Sequence, residues 1–166
     1  MPLSRARINN KNSDLTDKEK SEYRALVGQL NWMATQTRPD IAFEASYLSG
    51  IFKKATVGDL VKVNKLIDRV KYSCVQLAFP PMSKIEHCSL ECYSDASFGN
   101  LEDSGSQGGM VIFLSDENGN RCPIQWYSRK IRRIVKSTLA AETTAIELAS
   151  NPVIIKSSQA SFFLTK

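Results

Sequence analysis

The sequence predicts an α+β chain: a helical module, then three antiparallel strands, then one helix. Three observations carry this. Apolar residues recur at helical spacing from about residue 17 to residue 74, the period drops to two after Pro80-Pro81, and it returns to that of a helix from Ser137. A length of 166 residues suits one ordinary domain, or a small domain joined to part of a second. Hydrophobic residues make up 42% of the chain, which excludes wholesale disorder.

Residues 1–16 are polar and without period, and are expected to be a flexible lead-in. Thr16-Asp-Lys-Glu19 has the form of a capping box, and Tyr23, Leu26, Val27, Leu30, Met33 and Ala34 follow on one helical stripe, so a helix is expected over about 17–36. Pro39 suits the first turn of a second helix, whose stripe of Ile41, Ala45, Leu48 and Phe52 runs to about Lys54. Thr56-Val-Gly-Asp59 opens a third, carried by Leu60, Val63, Ile67 and Val70. These helices make a module within residues 17–80.

In the second part, 81–150, Leu90, Cys92 and Ser94 alternate with Glu91, Tyr93 and Asp95 as a strand. Gly99 to Gly109 is a turn region, Met110 to Leu114 a second strand, Asp116-Glu-Asn-Gly-Asn120 turn chemistry, and Ile124 to Tyr127 a third strand. A hairpin should span 108–128. The last helix carries Leu139, Glu142, Ala145, Leu148 and Ala149 until Asn151-Pro152 stops it, leaving 151–166 as a divergent tail. Trp126 and Phe113 are expected as strand core residues, Trp32 and Met33 as helix core or interface, and Cys92 as buried.

No apolar run approaches the length of a membrane span, and Met1-Pro-Leu-Ser-Arg5 has no signal-like stretch behind it. Four cysteines in such a chain are expected as reduced thiols, in the cytoplasm or nucleus and not in a secreted protein. With no CxxC pair and a single histidine, a zinc site at His87, Cys88 and Cys92 is not expected. Charge is divided along the chain: residues 84–120 carry one Lys against seven Asp and Glu, whereas Arg121, Arg129, Lys130, Arg132, Arg133 and Lys136 follow with no acid among them. An acidic stretch beside a basic one suits a metal-dependent enzyme acting on a polyanion; a solvated basic loop explains the same pattern.

Phosphate loops, nucleophile elbows and HExxH are all missing from the sequence. What remains is Asp95 at a strand end and Glu142 one turn into the last helix, both rigid places from which carboxylates could converge on Mg²⁺. Solvent-exposed acids would look the same.

Five segments carry a resemblance. Tyr23-Arg-Ala-Leu-Val-Gly-Gln-Leu-Asn-Trp-Met-Ala-Thr-Gln-Thr-Arg-Pro-Asp-Ile-Ala42 resembles the segment after the polymerase palm in copia-type retrotransposon Pol polyproteins. Tyr93-Ser-Asp-Ala-Ser97, Ser106-Gln-Gly-Gly-Met-Val-Ile-Phe-Leu114, Ile124-Gln-Trp-Tyr-Ser-Arg-Lys130 and Ser137-Thr-Leu-Ala-Ala-Glu142 are similar, in order, to that family's ribonuclease H domain. The resemblance implies a thumb- or connection-like module over 17–80, the end of a reverse transcriptase, and a truncated ribonuclease H-like fold over 81–150. It implies an endonuclease that cuts the RNA strand of an RNA–DNA hybrid with two Mg²⁺ ions, Asp95 contacting both metals and Glu142 holding one. Arg129, Lys130, Arg132, Arg133 and Lys136 would then contact phosphates of a hybrid or duplex.

One departure from the family weighs against activity. The family's third essential Asp follows the Glu-bearing helix, and here Val153 to Lys166 contains no Asp or Glu. Two carboxylates set −2 against the +4 of two Mg²⁺, an ion that gives up water reluctantly. Glu147 points elsewhere on its helix, and Glu102 and Asp103 lie in a solvated loop. The chain therefore reads as a fragment or decayed copy of a Pol polyprotein. Its expected function is that of a hybrid nuclease by descent, with little or no cleavage. The alternatives are a catalytically dead nucleic-acid-binding remnant, or an interaction module using an exposed sheet face.

Overall fold

A computed structural model describes residues 3–101, 103–131 and 137–147. The chain divides into two compact units, with the boundary between Gln76 and Leu77.

The first unit is helical, with α1 at Arg5–Asn9, α2 at Asp17–Gln36, α3 at Ala42–Gly50 and α4 at Val57–Tyr72. The capping box begins α2 as expected: Thr16 Oγ1 accepts from the Glu19 N–H, and the Glu19 carboxylate accepts from the Thr16 N–H. The buried stripe of α2 is Tyr23, Val27, Leu30 and Ala34, a spacing that keeps one helical face inward. It packs with Ile41, Ala45 and Leu48 and with Val57, Leu60, Val63 and Leu66 of α4. Tyr23 is fully buried, and its hydroxyl donates to the Leu48 carbonyl at 2.8 Å, which leaves the phenol no water and raises its pKa.

Two features differ from the expectations for this unit. The segment 39–54 is not one helix: short 3-10 turns at Pro39–Ile41 and Phe52–Lys54 flank α3, which ends at Gly50, a poor helix residue. The lead-in contains α1 and is anchored. Arg7 forms a two-pronged ion pair with Glu19, at 3.0 and 2.7 Å, and also donates to Ser13 Oγ and the Asp14 carbonyl. Leu15 is buried, and Asp14 bridges to Thr56. Arg38 is buried as well. Its guanidinium grips Asp40 through two 2.8 Å bonds and reaches the Val70 carbonyl and Ser73 Oγ, so the Arg38-Pro39-Asp40 corner ties the end of α2 to the end of α4.

The second unit is an antiparallel sheet in the order β1-β2-β3, with β1 at Cys88–Ser97, β2 at Gln107–Asp116 and β3 at Arg121–Lys130. The hairpin expected over 108–128 is β2–β3. Asp116 organises its turn: Oδ1 accepts from the Asn118 and Asn120 N–H groups, and Gly119 takes a left-handed φ of 81°. The Asn120 side chain, above all, and these N–H groups hold the Asp116 carboxyl down at about 2. Residues 138–147 form a helix, α5, with Ala140 N–H donating to Ser137 Oγ at its start. The whole is α+β, and three antiparallel strands followed by a helix is the order a ribonuclease H-like fold requires.

Side chains of β2 alternate between two faces. Met110 and Ile112 form the core with Leu90, Ile124 and Tyr127. Ala141 and Ala145 of α5 are buried, and Ala145 Cβ lies 3.7 Å from where a Cβ on Gly108 would stand, so α5 covers this same face. The other face carries Tyr93, Val111, Phe113 and Trp126, with the Tyr93 and Phe113 rings meeting edge-to-face at 6.1 Å. Phe113 and Trp126 are thus half-buried and lie opposite the core, rather than in it. Cys92 is exposed although it shares the core face, because β1 is an edge strand of the described sheet and a single helix covers little of that face. Trp32 is 65% exposed, on the side of α2 away from its buried stripe.

The Arg7 guanidinium, foremost, and the Thr16 N–H hold the Glu19 carboxyl at about 2, against an ordinary 4.5. A carboxyl depressed on folding stabilises the fold above its unfolded value and loses that contribution as pH falls through its folded one. Acid unfolding of the helical unit, followed by circular dichroism, is therefore expected to include a limb between about pH 4.5 and 2. Glu19→Gln should flatten it. In the same unit Leu60 is fully buried, and Leu60→Ala should lower unfolding stability by about 2–5 kcal/mol in urea titration.

Candidate functional site

Asp95 sits near the end of β1, paired with Gly109, and Gly109 in turn pairs with Ser128 of β3. The Asp95 side chain is exposed, and its Oδ1 accepts from the Ala96 N–H at 2.8 Å. Above Gly109 the surface is open: a Cβ there would meet only the Tyr127 carbonyl, at 3.9 Å. At the far side of this row Ser128 Oγ accepts from Nε2 of Gln107, which is itself buried, at 2.8 Å.

Glu142 follows the fully buried Ala141 on α5 and is exposed, since one helical step turns it about 100° from the sheet. Asp95 shares a face with Tyr93, whose ring meets Phe113, whereas α5 packs over Gly108 on the other face. No described hydrogen bond links either carboxylate to a group that would turn it toward the other. Among the described residues there is no group of three or more His, Cys, Asp or Glu side chains able to hold a metal ion. This donor set does not fit a two-Mg²⁺ centre, which needs several carboxylates converging on ions about 4 Å apart.

The basic run begins at the end of β3. Arg129 is exposed, with its guanidinium 4.6 Å from the centre of the Tyr127 ring. Lys130 is paired with Asp103 of the β1–β2 loop, and that ion pair, with the Gly105 N–H, lowers the Asp103 carboxyl pKa. Arg132, Arg133 and Lys136 lie outside the described residues, as does Glu102. Asp103 is exposed, as expected of a loop acid, and is also a partner of the basic run. The signal available in the sequence was the Asp103-Ser-Gly105 turn, which reverses the loop toward the strand ends. The Gln107–Ser128 bond had no signal, since it depends on strand register.

No family model and no solved structure matches the chain. Related sequences do. The chain is 30% identical over 132 residues to a retrovirus-related Pol polyprotein from transposon RE1 of Arabidopsis thaliana, a match that covers 79% of this chain and 8% of the relative. It is 28% identical, with the same coverage, to the corresponding polyprotein from transposon RE2 of that plant. It is 31% identical over 133 residues to the putative transposon Ty5-1 protein of Saccharomyces cerevisiae, covering 78% of this chain and 41% of that one. The matches span most of this chain but less than half of each relative, so the chain is similar to one segment of retrotransposon Pol polyproteins.

Proposed function

We propose that the chain derives from the reverse transcriptase–ribonuclease H junction of a copia-type Pol polyprotein. In this reading the 166-residue chain binds RNA–DNA hybrid or duplex nucleic acid and cuts the RNA strand little or not at all. The observation that carries the second half is that, among the described residues, no group of three or more His, Cys, Asp or Glu side chains stands together to hold a metal ion. What supports nucleic acid as the partner is the cation run at the end of β3, together with relatives whose names are those of transposon Pol proteins.

The chemistry follows from the groups present. Hydrolysis of a phosphodiester needs a water made nucleophilic and a leaving oxygen stabilised, and carboxylates achieve this only by holding cations between them. A single exposed carboxylate whose Oδ1 is occupied by a backbone N–H holds no such pair. It repels phosphate. Attraction therefore comes from Arg129, Lys130, Arg132, Arg133 and Lys136, whose phosphate contacts release counterions. Arg129 is the best placed of the two described cations, since its partner is a ring face and not an acid.

Two measurements test this. Incubated with labelled RNA–DNA hybrid in Mg²⁺ or Mn²⁺, the chain should leave the RNA intact at the level of its Asp95→Asn variant; robust cleavage abolished by Asp95→Asn would prove the proposal wrong. Hybrid affinity should fall with salt at a log–log slope of up to about −4 to −5 if all five cations meet phosphates. Arg129→Ala should weaken binding and make that slope shallower by about 0.9. A chain that does not bind hybrid even at low salt would overturn the partner assignment.

A further inference from the structure

We infer that the β1–β2 loop is an intramolecular competitor for the phosphate-binding cation Lys130, so that nucleic acid binding requires the Asp103–Lys130 pair to open. This rests on the nucleic-acid reading above and adds a device that regulates the same surface.

The loop is built to present Asp103 at the end of β3. Ser104 takes a left-handed φ of 57°, the Leu101 N–H donates to the Gly105 carbonyl, and the Ser104 N–H donates to the Leu101 carbonyl. The Gly99 N–H donates to Ser106 Oγ, and the Ser106 carbonyl accepts from the Ile131 N–H at 2.8 Å, fixing the loop base to the residue after Lys130. Within this frame Asp103 Oδ1 is held by the Gly105 N–H at 3.1 Å while Oδ2 meets Lys130 Nζ. The loop thus offers the ammonium a fixed carboxylate, and a carboxylate and a phosphate oxygen compete for the same donor. Both side chains remain about half exposed, 45% for Lys130 and 52% for Asp103, so a polyanion can reach the pair.

Gly105 is part of the device. A Cβ at this position would stand 2.6 Å from Lys130 Cε and 2.8 Å from Asp103 Oδ1, so a side chain there displaces the arms that make the pair. Its φ lies outside the left-handed region, so alanine fits the backbone there. Gly105→Ala therefore prises the pair open without changing any charge.

An exposed pair of this kind is weak, which sets the size of the effect. Asp103→Asn should tighten binding of a short RNA–DNA hybrid by about two- to five-fold at low salt, because the carboxylate no longer competes for Lys130. Gly105→Ala should shift affinity in the same direction. In a Lys130→Ala background neither change should have any effect, which separates the pair from a general loss of negative charge. Thermal midpoints of all variants, measured in parallel, confirm that folded proteins are compared. If the parent chain binds and Asp103→Asn changes nothing, or gains equally without Lys130, the competitor role is overturned while the nucleic-acid reading stands. If neither the parent nor Asp103→Asn binds at low salt, both fall.

Discussion

The pleat of β1 governs what this sheet can do chemically. Successive strand side chains must point to opposite faces, and the ladder with β2 runs unbroken from Cys88 to Ser97. The irregularity in the sheet lies elsewhere, between Ile112 and Phe113 on the β3 side. Asp95 is therefore committed to the face of Tyr93 and Phe113, with no bulge to re-aim it. The adjacent glycines show the same alternation from the other side. Gly108 lies under Ala145 and admits α5 close to the sheet, whereas Gly109 leaves bare backbone beside Asp95. The helix seated on Gly108 lies on the face opposite the Asp95 row.

The charge separation visible along the sequence is partly undone by topology among the described residues. An antiparallel meander folds the acidic stretch 84–120 back along the basic one that follows, so opposite charges become neighbours across strands. Lys130 meets Asp103, and Arg121 meets Glu91 at 3.1 Å. Each pair removes a cation from the set open to phosphates. Arg129 escapes because the pleat turns it to the face of Tyr127, an aromatic ring that attracts a guanidinium without neutralising it. A net charge of +5 thus overstates the field a polyanion would meet.

Elements with local signals were legible in the sequence, and those set by distant contacts were not. The capping box at Thr16 and Glu19 and the stripe from Tyr23 to Ala34 place α2 correctly at both ends. Asp116 to Asn120 similarly identifies its own turn. By contrast α1 has five residues, too few for a periodic signal or for independent stability, and its neighbourhood is ordered by Arg7 reaching Glu19 twelve residues on. The corner at Arg38 reads as mere punctuation until its bonds to Val70 and Ser73, over thirty residues away, are seen. For the site, alternation shows that Asp95 and Cys92 lie on opposite faces. It does not reveal which face a helix will cover, because that depends on Gly108 and Ala145 meeting. Cys92 lies on the covered face and is exposed because β1 is an edge strand of the described sheet.

The two units rest on unequal foundations. In the helical unit, aliphatic and aromatic side chains from three helices interlock, and two partly buried ion pairs are each held by two further bonds of the arginine. The sheet unit has a thin core around Met110 and Ile112, and on its other face Tyr93 is half exposed. Three strands and a helix are close to the minimum that stands by itself. The cations at the end of β3 are consequently only as well positioned as that small core allows. Salt acts differently on the two contributions. Apolar burial is insensitive to moderate ionic strength, whereas exposed pairs such as Lys130–Asp103, and any phosphate contact that replaces them, are screened over about 10 Å at 0.1 M. On the proposed nucleic-acid reading, binding would therefore be lost with salt while the sheet remains folded, which separates the charges at Arg129 and Lys130 from the packing that holds them.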